Sequence, residues 1–482
     1  MLCGAKGALA ERRMDLKRRD VLGVIAAGSA LGLAPAVRAA GPDRSKQRNV
    51  ILLVSDDQGL DLGSLGVAVK TPNIDALAAQ GTRFDQAYAA VSSCSPSRAV
   101  LYTGLYTHQN GMYGLAHSVH NQALMDGIET LPYWLKRAGY ATAIVGKKHV
   151  RPESAFPYDA ELAPELSGIR DVALIADATE LFIRSRGGKP FFITVGYSDP
   201  HRAPENFGNN PDWPRVHRVR YDPAKVDVPS HLPDIPAVRA DLAQYYESVS
   251  RLDEGVGMIR AALERQGQAD NTLIIFLSDN GRPFPGAKTN LYDPGLHLPL
   301  AIHAPGLPGG AVSDAMVSWV DIAPTILERT GAAGPSYKLA GRSLLPLLGQ
   351  GGKPGWDAVF ASHDFHEINQ YYPMRAIRTR DRSYIENLAW QLPYPVAGDV
   401  AGSESWKAIS ADPRIRVGKR TQAAYLQRPA REFYDLSRDP VEVVNLAERR
   451  DRAAERDVLA ERLAAFRVET RDPWAPGQTS AH

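Results

Sequence analysis

Cysteine is almost missing from this chain of 482 residues: there are two, Cys3 and Cys94. Cys3 falls in what reads as a leader, so Cys94 stands alone in the mature chain and no intramolecular disulfide can form there. A surplus of one charge is lacking too. The formal net charge is +2, which excludes the concentrated basic character of a nucleic-acid binder. An acidic substrate would therefore have to be met by a local cluster of cations. The mature chain has no apolar run long enough to span a membrane, no internal repeat and no low-complexity tract. What is present is ordinary. Hydrophobic residues make up 44% and charged residues 23%, as in soluble globular proteins, and the length implies a large domain with a smaller one.

The first forty residues read as an address. Lys17-Arg18-Arg19-Asp20 precedes an Ala/Gly-rich apolar run from Val21 to Ala36, and Val37-Arg38-Ala39 offers a small-residue cleavage site. That run is too short and glycine-rich for a membrane span. The paired arginines resemble a twin-arginine export signal, so residues 1–40 are expected to send the protein to the periplasm or outside the cell. Such export carries folded proteins, which suits an enzyme whose cysteine and metal site are prepared beforehand.

Four apolar runs predict buried strands, each followed by polar residues. Val50–Val54 leads into Asp56-Asp57, Ala141–Val145 into Lys147-Lys148-His149, Phe191–Val195 into Asp199-Pro200-His201-Arg202, and Leu273–Leu277 into Asp279-Asn280. Helical patterns lie between them, at Asn73–Gln80, Leu131–Ala138, Val172–Arg184 and Ala240–Arg265. The alternation predicts an α/β fold with a large, mostly parallel sheet covered by helices on both faces. In such sheets ligands bind beyond the carboxyl ends of the strands, where all four polar clusters fall. The Gly/Pro-rich stretch Gln350–Gly355 marks a boundary. The catalytic domain is expected over 48–352 and a smaller α+β domain over 353–482. The smaller one should hold a hairpin from Met374–Arg380 and Ser383–Leu388, a strand near Glu432–Tyr434 and a helix over Asp451–Arg467.

Cys94-Ser95-Pro96-Ser97-Arg98, followed by Leu101-Tyr102-Thr103-Gly104, resembles the sulfatase signature that directs oxidation of the cysteine to formylglycine. The hydrated aldehyde carries two hydroxyls on one carbon. One attacks sulfur and forms a covalent sulfo-enzyme; the other loses its proton and expels sulfate as the aldehyde re-forms. A serine in its place would leave a sulfate ester that water must attack directly. Asp56, Asp57, Asp279 and Asn280 form an all-oxygen set that suits calcium or magnesium over zinc, and residue 94 itself would complete it. Such an ion acts as Lewis acid and template. Arg98, Lys147 and Lys288 are candidates to hold the sulfate oxygens. His149 and His201 are candidates for proton transfer to the leaving group and from the diol.

Taken together the chain resembles a sulfatase of the alkaline-phosphatase-like superfamily, and more narrowly its N-sulfoglucosamine sulfohydrolase (heparan sulfamidase) branch. The matching stretches include Val91–Arg98, His108–Leu115, Gly146–Val150, Asp199–Arg202, Ser278–Gly281, Pro283–Pro285, Thr289–Tyr292, Tyr372–Arg375 and Ser437–Pro440. The resemblance implies one calcium ion per chain and formylglycine at position 94, made by a formylglycine-generating enzyme. It implies a terminal N-sulfated glucosamine of heparan sulfate or heparin as substrate, and a homodimer. It also implies that His201, Lys288 and Arg375, the last from the smaller domain, bind the sugar. Three features depart from the pattern. Lys288 stands where the animal sulfamidases have arginine, a point charge in place of a planar fork. Arg282 adds a charge to a loop expected beside the pocket, and the cysteines that pair in animal relatives are missing. An O-sulfatase or phosphate ester hydrolase of the same fold is the alternative, and a glycan binder without catalysis a third.

Overall fold

The alternation within the first strand, Asn49–Ser55, dictates its surroundings. Val50, Leu52 and Val54 enter one hydrophobic cluster, Ile51 and Leu53 another, and all five are fully buried. A strand apolar on both sides needs strands on both edges and helices above and below. The computed structural model, which describes residues 48–163, 170–210 and 212–475, supplies both. Its main sheet has eight strands in the order Ala160–Leu162, Ala141–Gly146, Phe191–Gly196, Asn49–Ser55, Thr272–Ser278, Leu300–His303, Thr82–Phe84 and Ala311–Ser313. The first five are parallel, and Leu300–His303 runs antiparallel to both neighbours.

Helices Cys94–Thr103, Leu131–Arg137 and Ile322–Thr330 cover one face through Val100, Leu101, Leu135 and Ile326. Pro72–Gln80, Val172–Ser185 and Pro236–Arg265 cover the other through Leu77, Ile175, Leu252, Val256 and Ile259. Each such side chain, once fully buried, contributes about 1.5–3 kcal/mol, and this sum fixes where the strand ends lie. The four expected strands all form. The long helix starts at Pro236 rather than Ala240, because proline in the first turn costs no hydrogen bond and is already set to a helical φ. The strands at Thr82–Phe84, Ala160–Leu162, Leu300–His303 and Ala311–Ser313 were not anticipated; at three or four residues each they are too short for alternation to show.

A second sheet, antiparallel, runs Ala358–His363, Met374–Thr379, Arg382–Asn387, Arg431–Asp435. Met374, Ala376, Ile385 and Tyr434 on one face join a core shared with Leu242, Tyr245 and Tyr246 of the long helix. Ile377, Tyr384 and Phe433 on the other pack on Leu459 and Leu463 of the helix Ala453–Glu469. Both the hairpin and the terminal helix stand where the sequence put them. Among the described residues no helix is long and apolar enough to cross a membrane. The export segment, 1–40, lies outside the described residues.

Candidate active site

Asn49–Ser55 and Thr272–Ser278 are adjacent parallel strands with Ser55 opposite Ser278. The residues that follow them, Asp56-Asp57 and Asp279-Asn280, therefore emerge side by side. Cys94 opens the helix Cys94–Thr103 just above. Its sulfur, one oxygen of Asp56 and one of Asp279 all lie within 4.8 Å of one another, as do the sulfur, an Asp57 oxygen and a His201 nitrogen. Residue 94 is thus within a side chain's reach of both acidic pairs. The helix start adds the positive end of its dipole at the same point, which favours charge gathering there.

Cations surround this centre. Lys147 Nζ meets Asp56 Oδ2 at 2.5 Å, Lys288 Nζ meets Asp57 Oδ2 at 2.8 Å, and Arg98 Nε donates to Asp279 Oδ2 at 2.8 Å. Arg98 also donates to the Lys147 carbonyl at 3.1 Å. It reaches both through a gap kept open by Gly196, where a Cβ would sit 2.1 Å from the Lys147 carbonyl oxygen and 3.1 Å from Arg98 Nη1. Asp57, His149 and Thr289 all hold positive φ, at 64°, 57° and 65°. Such backbone is costly for residues other than glycine and concentrates at functional positions.

The electrostatics describe a carboxylate cluster with negative charge to spare. Burial would raise Asp56, but Lys147, His201 and Arg98 outweigh it and hold the carboxyl well below its usual range. Burial pushes Asp57 up to about 6 against the pull of Lys288, and burial with the neighbouring Asp56 pushes Asp279 up to about 7. Asp56 Oδ1 and Asn280 Oδ1 are buried without a hydrogen-bond partner, a state that is costly unless something else satisfies it. Asn280 Nδ2 donates to Asp57 Oδ1 at 2.6 Å; a half-turn of the amide would bring the oxygen to the same point. The donor set is all oxygen, converging and anionic, so these residues fit a hard divalent cation.

The histidines flank the centre. His201 Nδ1 donates to the Arg202 carbonyl at 2.5 Å, leaving Nε2 facing Asp57 and Asp399, each at 3.7 Å. Burial and the nearby Lys288 push this imidazole down to about 3. His149 Nε2 lies 2.6 Å from His117 Nδ1, and burial, with Lys147, lowers it far below the usual range. Cys94 has its thiol pushed well up by burial, so the unmodified side chain would be a poor nucleophile.

Ten of the eleven candidate residues fall together. Arg375 does not, and its expected sugar-binding role needs correction. Its guanidinium is fully buried, donating to Asp472 at 2.7 and 3.1 Å, to Asp364 at 2.9 Å and to the carbonyls of His363 and Met374. The fully buried guanidinium is taken up by these acceptors and is not presented to a ligand. Arg282 likewise turns away from the pocket and makes a buried fork with Asp61, at 2.6 and 2.8 Å, packed over Gly59. Its carbonyl accepts from the Lys288 amide at 3.0 Å. Sequence reasoning missed Asp399, which accepts from Lys288 Nζ at 2.7 Å, and His117. Neither follows a strand end or falls in the Cys94–Arg98 signature, which between them supplied most of the others.

Comparison with known proteins accords with this geometry. A family model described as Sulfatase matches residues 48–332, more than half of the chain. The chain belongs to the sulfatase family. A second model, described as N-sulphoglucosamine sulphohydrolase, C-terminal, matches residues 287–390 of this sulfatase. The sulfatase is 40% identical over 469 residues to N-sulphoglucosamine sulphohydrolase of Homo sapiens, covering 89% of this chain and 92% of the relative. It is 30% identical to N-acetylgalactosamine-6-sulfatase of Rattus norvegicus, over 67% of this chain and 68% of that one. Among solved structures, one in complex with its substrate D-glucosamine-2-N,6-O-disulfate superposes with a TM-score of 0.67 at 20% identity, covering 90% of this chain and all of that one. A phosphonate monoester hydrolase of Agrobacterium radiobacter gives 0.64 at 24%, over 88% and 96%. These last two speak to the fold alone.

Proposed function

We propose that this sulfatase hydrolyses the N-linked sulfate of a terminal N-sulfoglucosamine, as found in heparan sulfate and heparin, using residue 94 as formylglycine. The 40% identity to human N-sulphoglucosamine sulphohydrolase across 89% of the chain carries the choice of substrate. The convergence of Cys94 with both acidic pairs supports the chemistry. Asp56, Asp57, Asp279 and Asn280 would hold a calcium or magnesium ion, which supplies charge neutralisation and orientation at the reacting sulfur.

The chain's own residues do the rest. Lys288 and His201 flank the sulfate oxygens on the cleft side, with Lys147 on the other. Arg98, locked between Asp279 and the Lys147 backbone, keeps the acidic pairs in register. Cleaving S–N requires a proton for the departing nitrogen. His201 Nε2, opposite its anchored Nδ1 and facing Asp57 and Asp399, is the group to hold that proton once the negative charge of a bound sulfate raises an imidazole that burial and Lys288 otherwise hold at about 3. His149, with His117 behind it, is the partner for the hydroxyl that stays on residue 94. Because Cys94 is buried, a formylglycine-generating enzyme must meet this segment before the fold closes. That order agrees with export of the folded protein by a twin-arginine signal.

Assaying N-sulfoglucosamine, glucosamine 6-sulfate and a phosphate monoester side by side tests the reading. The highest kcat/KM is expected on the N-sulfated sugar. Retained activity on the 6-O-sulfated sugar with none on N-sulfoglucosamine would move the enzyme to the O-sulfatases. Mass spectrometry of protein from its native host should find residue 94 as formylglycine.

A further inference from the structure

We propose that Asp399 is the residue that selects an N-linked over an O-linked sulfate, an inference that rests on the sulfamidase reading above. Asp399 lies on the short helix Gly398–Ala401, and its Oδ2 is 2.7 Å from Lys288 Nζ and 3.7 Å from His201 Nε2. Its side chain is 19% exposed, whereas those of Lys288 and Asp57 behind it are fully buried. Of the three, Asp399 alone reaches the surface. Beyond Asp399 opens a cleft also lined by Arg202, Glu205, Ser403 and Glu404. A sulfate seated on residue 94 between Lys288 and His201 would direct its leaving atom toward this carboxylate, because Asp57 is fully buried while Asp399 opens on the cleft.

The two substrate classes differ at that atom. A sulfate ester presents an oxygen with lone pairs and no hydrogen, which a carboxylate repels. A sulfamate presents an N–H, which the carboxylate accepts. During reaction an O–S bond forms from a hydroxyl of residue 94 as the S–N bond breaks. The S–N electron pair stays on nitrogen, which takes one proton from the general acid and, through solvent, the one given up by the attacking hydroxyl. The second hydroxyl then loses its proton, which restores the acid, as the aldehyde re-forms and expels sulfate, and water hydrates the aldehyde again. The balance is R–NH–SO3⁻ plus water giving R–NH3⁺ plus sulfate dianion. The product cation then stands beside Asp399 in a cleft that also carries Glu205 and Glu404, a setting that suits an ammonium. One charged hydrogen bond gained on one substrate and one repulsion met on the other correspond to discrimination of about 100-fold.

The test uses the full-length enzyme with residue 94 converted, comparing wild type with Asp399→Asn. For each, kcat/KM is measured on N-sulfoglucosamine and on glucosamine 6-sulfate, and inhibition by glucosamine is measured against inhibition by glucose. The N-to-O ratio of kcat/KM should fall by about 100-fold in the variant. The preference for glucosamine over glucose as inhibitor should fall by about 10-fold. The inhibition ratio decides even where turnover of the O-sulfate is too slow to follow. Equal loss on both substrates, with the inhibitor preference unchanged, overturns the proposal and leaves Asp399 merely holding Lys288 in place. A wild-type enzyme that releases sulfate only from the 6-O-sulfated sugar overturns the sulfamidase reading first, before any variant is made, and the proposal with it.

Discussion

The buried Arg98 guanidinium governs how the acidic pairs can be probed. Asp279→Ala would take from that buried cation its close carboxylate, leaving only the Lys147 carbonyl and a 4.0 Å approach to Asp56, at a cost of up to about 3–5 kcal/mol, and activity lost to unfolding would say nothing of metal. Asp279→Asn keeps the shape and an acceptor for Arg98 while removing a negative charge from the oxygen set. Bound divalent ion measured by elemental analysis should drop with it, and sulfate release should fall at least about 100-fold. Full activity of this variant in excess chelator would sink the metal assignment. Cys94→Ala is a cleaner case. Its thiol makes one long hydrogen bond, 3.9 Å to Asp57, so truncation should cost about 1 kcal/mol, leave the circular dichroism unchanged and abolish turnover. Both residues were legible in the sequence because each belongs to a motif or follows an apolar run. Asp399 was not, since a carboxylate on a four-residue helix beyond residue 390 acquires meaning only when the fold carries it to Lys288. Arg375 misled for the mirror-image reason: Asp364 and Asp472, which consume its donors, are 11 and 97 positions away.

At the scale of elements, the four long buried strands and the helices between them could be read directly, while the strand Ala358–His363 and the helices Ile322–Thr330 and Glu404–Ala411 were missed, as were pieces of three or four residues. One of these short pieces carries a pH dependence. His297, at the end of the helix Asp293–Leu296, approaches Asp293 through Nδ1 at 3.3 Å and the Asp85 carbonyl through Nε2 at 2.8 Å. Two acceptors require two N–H groups, so the geometry holds the doubly protonated ring, stacked on Tyr88 at 4.8 Å. Burial alone would lower its pKa, but the Asp293 carboxylate outweighs burial and raises it above 6.5. A histidine raised on folding contributes its full stabilisation below the unfolded value, and that contribution is lost as pH climbs through the folded value. Thermal melts of the wild type and His297→Gln should therefore differ most near pH 6, by about 2 °C or more, and converge towards pH 9. A difference that stays constant over that range would show that the ring packs there uncharged.

At the scale of the whole molecule, the boundary expected at residues 350–355 is not one that the contacts respect: residues 46–482 form one compact unit. The loop that presents Lys288 is tied throughout to residues beyond 390. Lys288 meets Asp399 at 2.7 Å, Thr289 meets Tyr394 at 2.6 Å, Asn290 meets Arg428, and Tyr292 donates to Glu432 at 2.7 Å. The apolar core beneath that loop mixes Leu242 and Tyr245 from the long helix with Met374, Ile385 and Tyr434 from the smaller sheet. Removing the smaller sheet would uncover these side chains, each contributing about 1.5–3 kcal/mol, and would release the segment that carries Lys288. The two sheets should accordingly unfold together. In urea, loss of sulfate release, of tryptophan fluorescence and of far-ultraviolet circular dichroism should superimpose on one transition. If activity disappeared at a clearly lower urea concentration while most secondary structure survived, the smaller sheet would be an independently folding module, and the site would owe its geometry to a docking step instead of a shared core.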